Sequence, residues 1–519
     1  MLRSSFAGFR TASSALRVNQ QLLDVTGQNM ANINTAVYTR QRLDVSSVSL
    51  RTNNLKYGVN GLVIGQGAES IGISQYRDSF LDLRYRNESA KVGTESVKSE
   101  ALGDLEAVFD EISMDGLDAQ FSDLVDQLQS LTSSPTDPVV EGVVRTSASM
   151  LCQMLNDYSK DVQTVSDQQK SYLKEGAVVD VNKLMKNIAD INKQIKEDNL
   201  SGNPALELND QRNAYIDELS SYLDIEVNMT QVSIGSGKTL DELSITLKGN
   251  DMKLVNGYEY AEIGCEDVAA TKDIAIKLTK SIDATFSVGD DLTTSIDKGQ
   301  IAGYLEFLNG KGKFNSANTA DDSGIQYYKS MLDTLANKFA GLMNEANSTA
   351  AGGVINKPLF TARGTDPELS TGITAGNIKI SNAWANSTES YITNTKSTTV
   401  TDTSGATDNI LKMISLFQSK ETFTTGGVPD TQLFKGTLQE FFSSIATDVN
   451  LKVEDAENSY DTYAETQYQI NKSRDSLSSV DESEEGINLL TYSKSYNAAA
   501  RLMTTLDEML DTLINEMAR

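Results

Sequence analysis

Few residues of this 519-residue chain are arranged for chemistry. Gly235-Ser236-Gly237-Lys238-Thr239 ends like a phosphate-binding loop. Such a loop needs glycine five residues before Gly237, where Val232 stands, and a helix after the threonine. Leu243-Ser244-Ile245-Thr246-Leu247 alternates like a strand instead, so a lysine-bearing hairpin turn is expected. Gly65-Gln66-Gly67 has Ser70 in place of the third glycine of a dinucleotide fingerprint and reads as a turn. After Asp110 the ligand positions of a calcium hand hold Ile112 and Met114. The adjacent carboxylates Asp290-Asp291 and Glu484-Glu485 have the residue types of a glycosidase pair, which needs no histidine. Among 72 acids, however, such neighbours are expected on a solvated face. Cys152, within Met150-Leu151-Cys152-Gln153-Met154-Leu155, reads as a small buried thiol, and Cys265 has no imidazole to activate it.

Composition narrows the chemistry further. The chain has no histidine, which removes imidazole acid–base catalysis, histidine triads and histidine-bound metals. The two cysteines form no CxxC pair, so neither a disulfide framework nor a thiolate zinc site is expected. A formal charge of −27 argues against nucleic acid as a partner, because phosphate binding needs a concentrated basic surface. No catalytic residue, cofactor or metal is therefore expected. The length suggests two to four domains, and 39% hydrophobic with 23% charged residues suits a folded chain. No apolar run approaches the span of a bilayer, so membrane insertion is not expected. The N-terminus lacks the apolar core of a signal peptide, although three arginines and four serines before Asp24 resemble a transit peptide. Such a chain is expected to stay in the cell or to leave by a route that keeps its N-terminus intact.

The two ends carry the clearest periodicity. Leu2, Phe6, Phe9, Ser13, Leu16, Gln20 and Leu23 alternate four and three apart, a narrow amphipathic seam edged by Arg3, Arg10 and Arg17. Asparagines at 29, 32 and 34 mark its end. Leu489, Tyr492, Tyr496, Ala499, Met503, Leu506, Leu510, Leu513 and Met517 fill every position of the same pattern at the other end. Residues 1–45 carry five arginines against two aspartates, and residues 481–519 carry eight acids against three bases. Matching seams of opposite charge predict that the ends pair, with charge setting register and apolar burial supplying affinity.

Between the ends, helices are expected over about 75–111, 116–131, 144–172 (Val144, Ala148, Leu151, Leu155, Tyr158, Val162, Val165, Gln169 and Tyr172 on one face) and, after a break near Gly176, 181–195. Residues 224–310 read as β-rich, with a tight turn at Asn256-Gly257. Helix returns over 325–347 and 436–477, and the Thr/Ser/Asn/Gly-rich stretch 349–405 suggests a small β-rich insert. The expected fold class is α+β, mainly α: a nested multidomain chain with terminal coiled-coil-like helices, a long-helix bundle and β-rich central segments. Its parts are residues 1–50 with 481–519, residues 51–348 with 406–480, and the insert 349–405.

One segment has a recognisable pattern. Gly27-Gln28-Asn29-Met30-Ala31-Asn32-Ile33-Asn34-Thr35-Ala36-Val37-Tyr38-Thr39-Arg40-Gln41 resembles the N-terminal signature of the bacterial flagellar axial proteins, and its Tyr-Thr-Arg-Gln ending is most similar to the hook-associated protein 1 family. Tyr76-Arg77-Asp78-Ser79-Phe80-Leu81-Asp82, the block around Asp210-Gln211-Arg212, and the helix from Asn488 to Asn515 resemble the same family. Val37 departs from the usual glycine and Asn213 from the usual acid. The resemblance implies a non-enzymatic structural subunit at the junction of hook and filament, assembling through Leu2, Phe6, Phe9, Leu16, Leu23, Leu489, Tyr492, Tyr496, Met503, Leu506, Leu510, Leu513 and Met517. It implies contacts with copies of itself, with hook protein and with a second junction protein (hook-associated protein 3). It also implies an export chaperone on the C-terminal helix, and uncleaved passage through the flagellar type III apparatus to the cell exterior. Within the superfamily the alternatives are hook protein or the other junction protein. Outside it they are a carboxylate-based polysaccharide hydrolase and an adhesin using the 349–405 insert.

Overall fold

The computed structural model describes residues 5–48, 67–111, 114–235, 238–269, 273–315, 323–349, 355–364, 368–396, 405–427 and 430–516. The chain opens with helix α1 (Ser5–Ala31) and an antiparallel hairpin of β1 (Gln41–Ser47) and β2 (Ala68–Gln75). It closes with α11 (Leu438–Ser478) and α12 (Glu482–Asp511), the latter extended by a π-helical turn. Everything between builds the body, in a mainly helical α+β arrangement.

The body begins with α2 (Ser79–Glu111), α3 (Met114–Thr132) and α4 (Pro138–Ser171). Asp137 caps α4 by accepting from the Val139 N–H, and Pro138 supplies a preset first turn. The expected stripe from Val144 to Gln169 is buried, whereas Tyr172 is exposed. The expected break at Gly176 is replaced by a π-helical turn, Tyr172–Ala177, that runs directly into α5 (Val178–Ser201). A π turn absorbs a shift in the buried stripe without breaking the helix axis, which periodicity alone reads as an interruption. Gly202, in the left-handed region at φ 86°, ends α5, and α6 (Leu206–Tyr222) follows.

Strands β3 (Ile225–Gly235), β4 (Lys238–Leu247), β5 (Met252–Asn256) and β6 (Glu259–Tyr260) form one antiparallel sheet in chain order. Strands β7 (Glu262–Val268) and β8 (Asp273–Lys280) form another. The turn expected at Asn256-Gly257 lies one residue on: Asn256 pairs with Glu259, so Gly257 and Tyr258 are the turn and Gly257 takes φ 59°. The β-rich part stops at Lys280, short of the expected 310. Gln300–Asn309 is helix α7, with Ile301, Ala302, Gly303, Leu305, Phe307 and Leu308 all buried. A helix covered on nearly every side has no amphipathic period to reveal it.

Helix α8 (Ile325–Asn347) precedes the insert, whose strands β9 (Phe360–Ala362) and β10 (Ile378–Ile380) are three residues each and pair with one another. The short helix α9 (Asn382–Ala385) carries Trp384; α10 (Asp408–Gln418) and the hairpin β11 (Glu421–Thr424)–β12 (Gln432–Gly436) follow. Phe360, Ile378 and Trp384 lie in the same apolar core as Phe121, Leu155 and Phe339 of α3, α4 and α8, so the insert closes onto the helical body. Long α11 begins at a capping box between Thr437 and Glu440 and lies along α2, burying Phe441, Phe442, Ile445, Val449, Val453 and Ala456.

Candidate functional site

The ends of the chain pair laterally and antiparallel. A Cβ on Gly8 would stand 3.2 Å from Leu506, and Arg40, just past α1, meets the start of α12. Glycine at position 8 is what lets the Leu506 side chain approach the α1 backbone. Tyr492, Tyr496, Met503, Leu506 and Leu510 are half-buried, Ala499 is buried and Leu489 sits exposed at the rim. On α1 the most buried residues are Ala12, Val18, Val25, Thr26 and Asn29, while Phe9, Leu16 and Leu23 of the expected seam are only half-buried. This offset arises because α1 packs against α12 and the β1–β2 hairpin together, and two neighbours cover a broader face than one seam. Leu2 and Met517 lie outside the described residues, as do the side chains of Phe6 and Leu513.

Charge does not set the register along the pair as expected. Among the described residues no ion pair joins α1 to α12, and Arg10 and Arg17 are exposed. The electrostatic tie is Arg40 instead. Its Nε donates to Glu485 at 2.7 Å, and its Nη1 and Nη2 donate to Glu484 at 2.9 and 2.8 Å. The guanidinium also lies 5.1 Å from the Tyr76 ring centroid. Hydrogen bonds to Glu484 and Glu485 raise the Arg40 pKa despite partial burial. Glu485 is 2% exposed, so this is an embedded pair, not a surface one. The Arg40 backbone N–H donates to the Ser478 carbonyl at the end of α11, and its own carbonyl accepts from Tyr76.

The neighbouring motif residues converge on the same joint. Asn29 donates to the Gln41 carbonyl (2.9 Å) and accepts from the Tyr38 hydroxyl (2.9 Å) and the Gln41 N–H (3.0 Å). Only a short side-chain amide has both donor and acceptor to close that ring. The Thr39 N–H and the Gln75 side chain donate to one oxygen of Asp210, at 3.0 and 2.9 Å, and the Gln41 side chain donates to Glu207 at 3.0 Å. Asp210 thus anchors the α1–β1 loop to α6. Burial raises its pKa, against the pull of Thr39, Arg77 and Gln75. Burial likewise raises the Tyr38 hydroxyl, reinforced by Glu207, Asp210 and Glu485. Asn32 shapes the loop through Gln28 and Thr35, and Gln211 is exposed. Arg212 is 5% exposed and donates to Asn192 and Asn209, and burial, then Arg77 and Arg86, lowers its pKa to about 10.

Val37 occupies the position where the family pattern has glycine, and its φ is 68°. The left-handed region is unfavourable for a β-branched side chain, so the loop holds strain that the surrounding hydrogen bonds must impose. Val37→Gly is expected to stabilise the joint by about 1 kcal/mol, read as slower amide exchange over residues 35–41. Unchanged or faster exchange would show the conformation to be unstrained.

A chain of alternating charges continues behind the loop. Arg77 pairs with Asp82 (2.6 Å), Asp82 with Arg474 (3.1 Å), Arg474 with Asp217 (2.6 Å) and Asp217 with Arg86 (2.7 Å). Arg474 also lies 4.3 Å above the Tyr85 ring. These residues bind α2, α6 and the end of α11 around a 690 Å³ polar cleft. Arg474, Asp217, Arg86, Gln75 and Glu207 escape a sequence reading, because nothing in their local spacing shows that three distant segments meet. Asn213 still serves the network by accepting from Arg86 at 3.4 Å.

The residues with other chemical readings are occupied structurally. Lys238 and Thr239 start strand β4, and residues 236–237 lie outside the described residues. Asp290 and Asp291 accept from the backbone N–H groups of Ser287 and Thr293, and Glu484 and Glu485 are taken by Arg40. Cys152 is buried, and burial pushes its thiol up to about 12. No described helix is long and apolar enough to cross a membrane.

The chain is similar to known flagellar proteins. Residues 102–360 match the family profile of the flagellar hook-associated protein FlgK helical domain. Residues 475–516, which include α12, match that of the flagellar basal body rod FlgEFG protein C-terminal region. The chain is 28% identical to flagellar hook-associated protein 1 of Bacillus subtilis (strain 168) over 99% of both chains. It is 26% identical to the Escherichia coli (strain K12) protein of that name over 57% of this chain and 51% of the other. In fold it is similar to the flagellar hook junction protein FlgK of Burkholderia pseudomallei, with a TM-score of 0.54 at 12% identity, over 76% of this chain and all of that one. By its helical body the chain belongs to the flagellar hook-associated protein FlgK family, and it is similar to flagellar hook-associated protein 1 along nearly its whole length.

Proposed function

We propose that this chain is a structural, non-enzymatic subunit of the bacterial flagellum at the junction of hook and filament, and that it assembles through α1 and α12. The observation carrying this reading is the terminal pair itself. It is held to the body through the Arg40–Asp210 joint, yet keeps apolar residues of both helices partly uncovered. Residues 1–50 with 481–519 then form an assembly layer, and the body projects from it. On this reading the layer contacts further copies of the chain and hook protein, while hook-associated protein 3 follows on the filament side. Before export the acidic, apolar α12 is the natural perch for a cytoplasmic chaperone. Export through the flagellar type III apparatus needs no cleaved leader. Nothing in the arrangement of the described carboxylates supports a polysaccharide hydrolase.

Leu506→Asp tests the reading. Leu506 packs on Gly8 and not on the body, so the main melting transition is expected to stay within about 2 °C of the parent. Binding of the purified chain to isolated hook ends should fall at least ~10-fold, the equivalent of one lost buried leucine contact. Binding at the parent level would refute a terminal role in assembly.

A further inference from the structure

The α12 seam that periodicity singles out is largely spent inside the chain, on α1. A second apolar stripe is left over. Ile487 is 64% exposed, Leu490 60%, Leu502 48% and Met509 62%. At 100° per residue these four spread over a sector about 120° wide, centred roughly 100° around the helix from the Ala499–Leu506 face. Exposed Glu508 and Asp511 border it. Helix α1 presents the converse edge. Phe9, Leu16 and Leu23 are half-buried, and exposed Arg10 and Arg17 lie roughly 180–200° from Gly8, the point of contact with α12. Neither arginine forms an ion pair among the described residues, in a chain whose formal charge is −27. One chain therefore carries an apolar stripe with an acidic border and an apolar edge with a basic border, and it cannot bring the two together.

From this we propose that the outer face of α12, along Ile487, Leu490, Leu502 and Met509, docks the α1 edge of a second copy, with Arg10 and Arg17 against Glu508 and Asp511. The inference rests on the terminal-assembly reading and sharpens it. The contact is heterologous, because different surfaces of the two copies meet, so it propagates from copy to copy until a ring closes. The inner seam then holds each terminal pair together, and the outer stripe joins one pair to the next.

The test uses full-length chain added to isolated hooks, with bound copies per hook counted by fluorescence. Leu490→Asp with Leu502→Asp, both on exposed positions, should leave far-UV helicity and melting unchanged and reduce bound copies at least ~10-fold. The pair Leu490→Gln with Leu502→Gln repeats the measurement with neutral side chains. Arg10→Glu with Arg17→Glu should reduce binding similarly, and adding Glu508→Lys with Asp511→Lys to that chain should restore it to within ~3-fold of the parent. Parent-level binding by both outer-face variants would overturn the inference. If Leu506→Asp still abolished binding in that case, the terminal-assembly reading would stand. Loss on arginine reversal without rescue by the acid reversal would remove α1 as the occupant and overturn it equally.

Discussion

Arg40→Ala is expected to destabilise the joint by ~3–5 kcal/mol, the usual cost of stripping one partner from a buried ion pair. The reason is the state of what remains. Glu485 would be left 2% exposed with its 2.7 Å donor gone, and Glu484 would lose a bidentate partner. Arg40 also stacks on Tyr76, so its stem and ring contact go with its charge. The body has its own core and capped helices, and the loss should therefore stay local. The expected result is a separate, low-temperature transition of the terminal helices, with the main transition unchanged. Hydrogen exchange would show α1 and the first turns of α12 unprotected while α4 and α8 stay protected. Arg40→Lys should recover only part of the loss, because an ammonium cannot serve two carboxylates with the planar fork that Arg40 uses. A single shared transition, shifted as a whole, would mean that the terminal pair and body form one cooperative unit.

Glu141→Ala should act in the opposite place, on the body. This carboxylate is fully buried in the first turns of α4 and accepts from Trp384 Nε1 (2.8 Å), the Ser390 hydroxyl (2.7 Å) and the N–H groups of Tyr391 and Ile392. It is the point where residues of the insert are stitched to the helical body. Alanine leaves two buried and two partly buried donors without an acceptor, at a cost of ~3–5 kcal/mol and a fall of about 10 °C in the main melting transition. Glu141→Gln keeps one acceptor oxygen and should lose roughly half as much. Neither change touches the terminal helices, so hook-end binding below the melting temperature should persist. A silent Glu141→Ala variant would show that the insert is held by the packing of Trp384 and Phe360 alone.

Much of the architecture was legible in the residues. The stripe of α4 buries one face and the seam of α12 half-buries one, and a single covered face leaves a periodic trace. The alternating runs Leu243–Leu247 and Ile274–Leu278 became β4 and β8 for the same reason at period two. Helix α7 left no such trace, because the body covers it on nearly all sides. The motif from Asn29 to Gln41 could be matched as a pattern, but its purpose lies in partners 12 to 445 residues away in sequence.

By itself the amino-acid sequence determined that this protein does no imidazole chemistry, that its two ends are amphipathic helices of opposite charge, and that its middle holds the larger sheets, though not that hairpins β1–β2 and β11–β12 lie outside it. These follow from residue type and local spacing, which act within a few turns of chain. Only the tertiary structure decided which face of each terminal helix is spent within the chain, that among the described residues Arg40, and not Arg10 or Arg17, ties the ends together, and that Arg474 and Asp217 complete the joint. Those outcomes depend on how three distant segments share a small buried volume, where desolvation makes each charge need a specific partner, and no local spacing encodes that meeting.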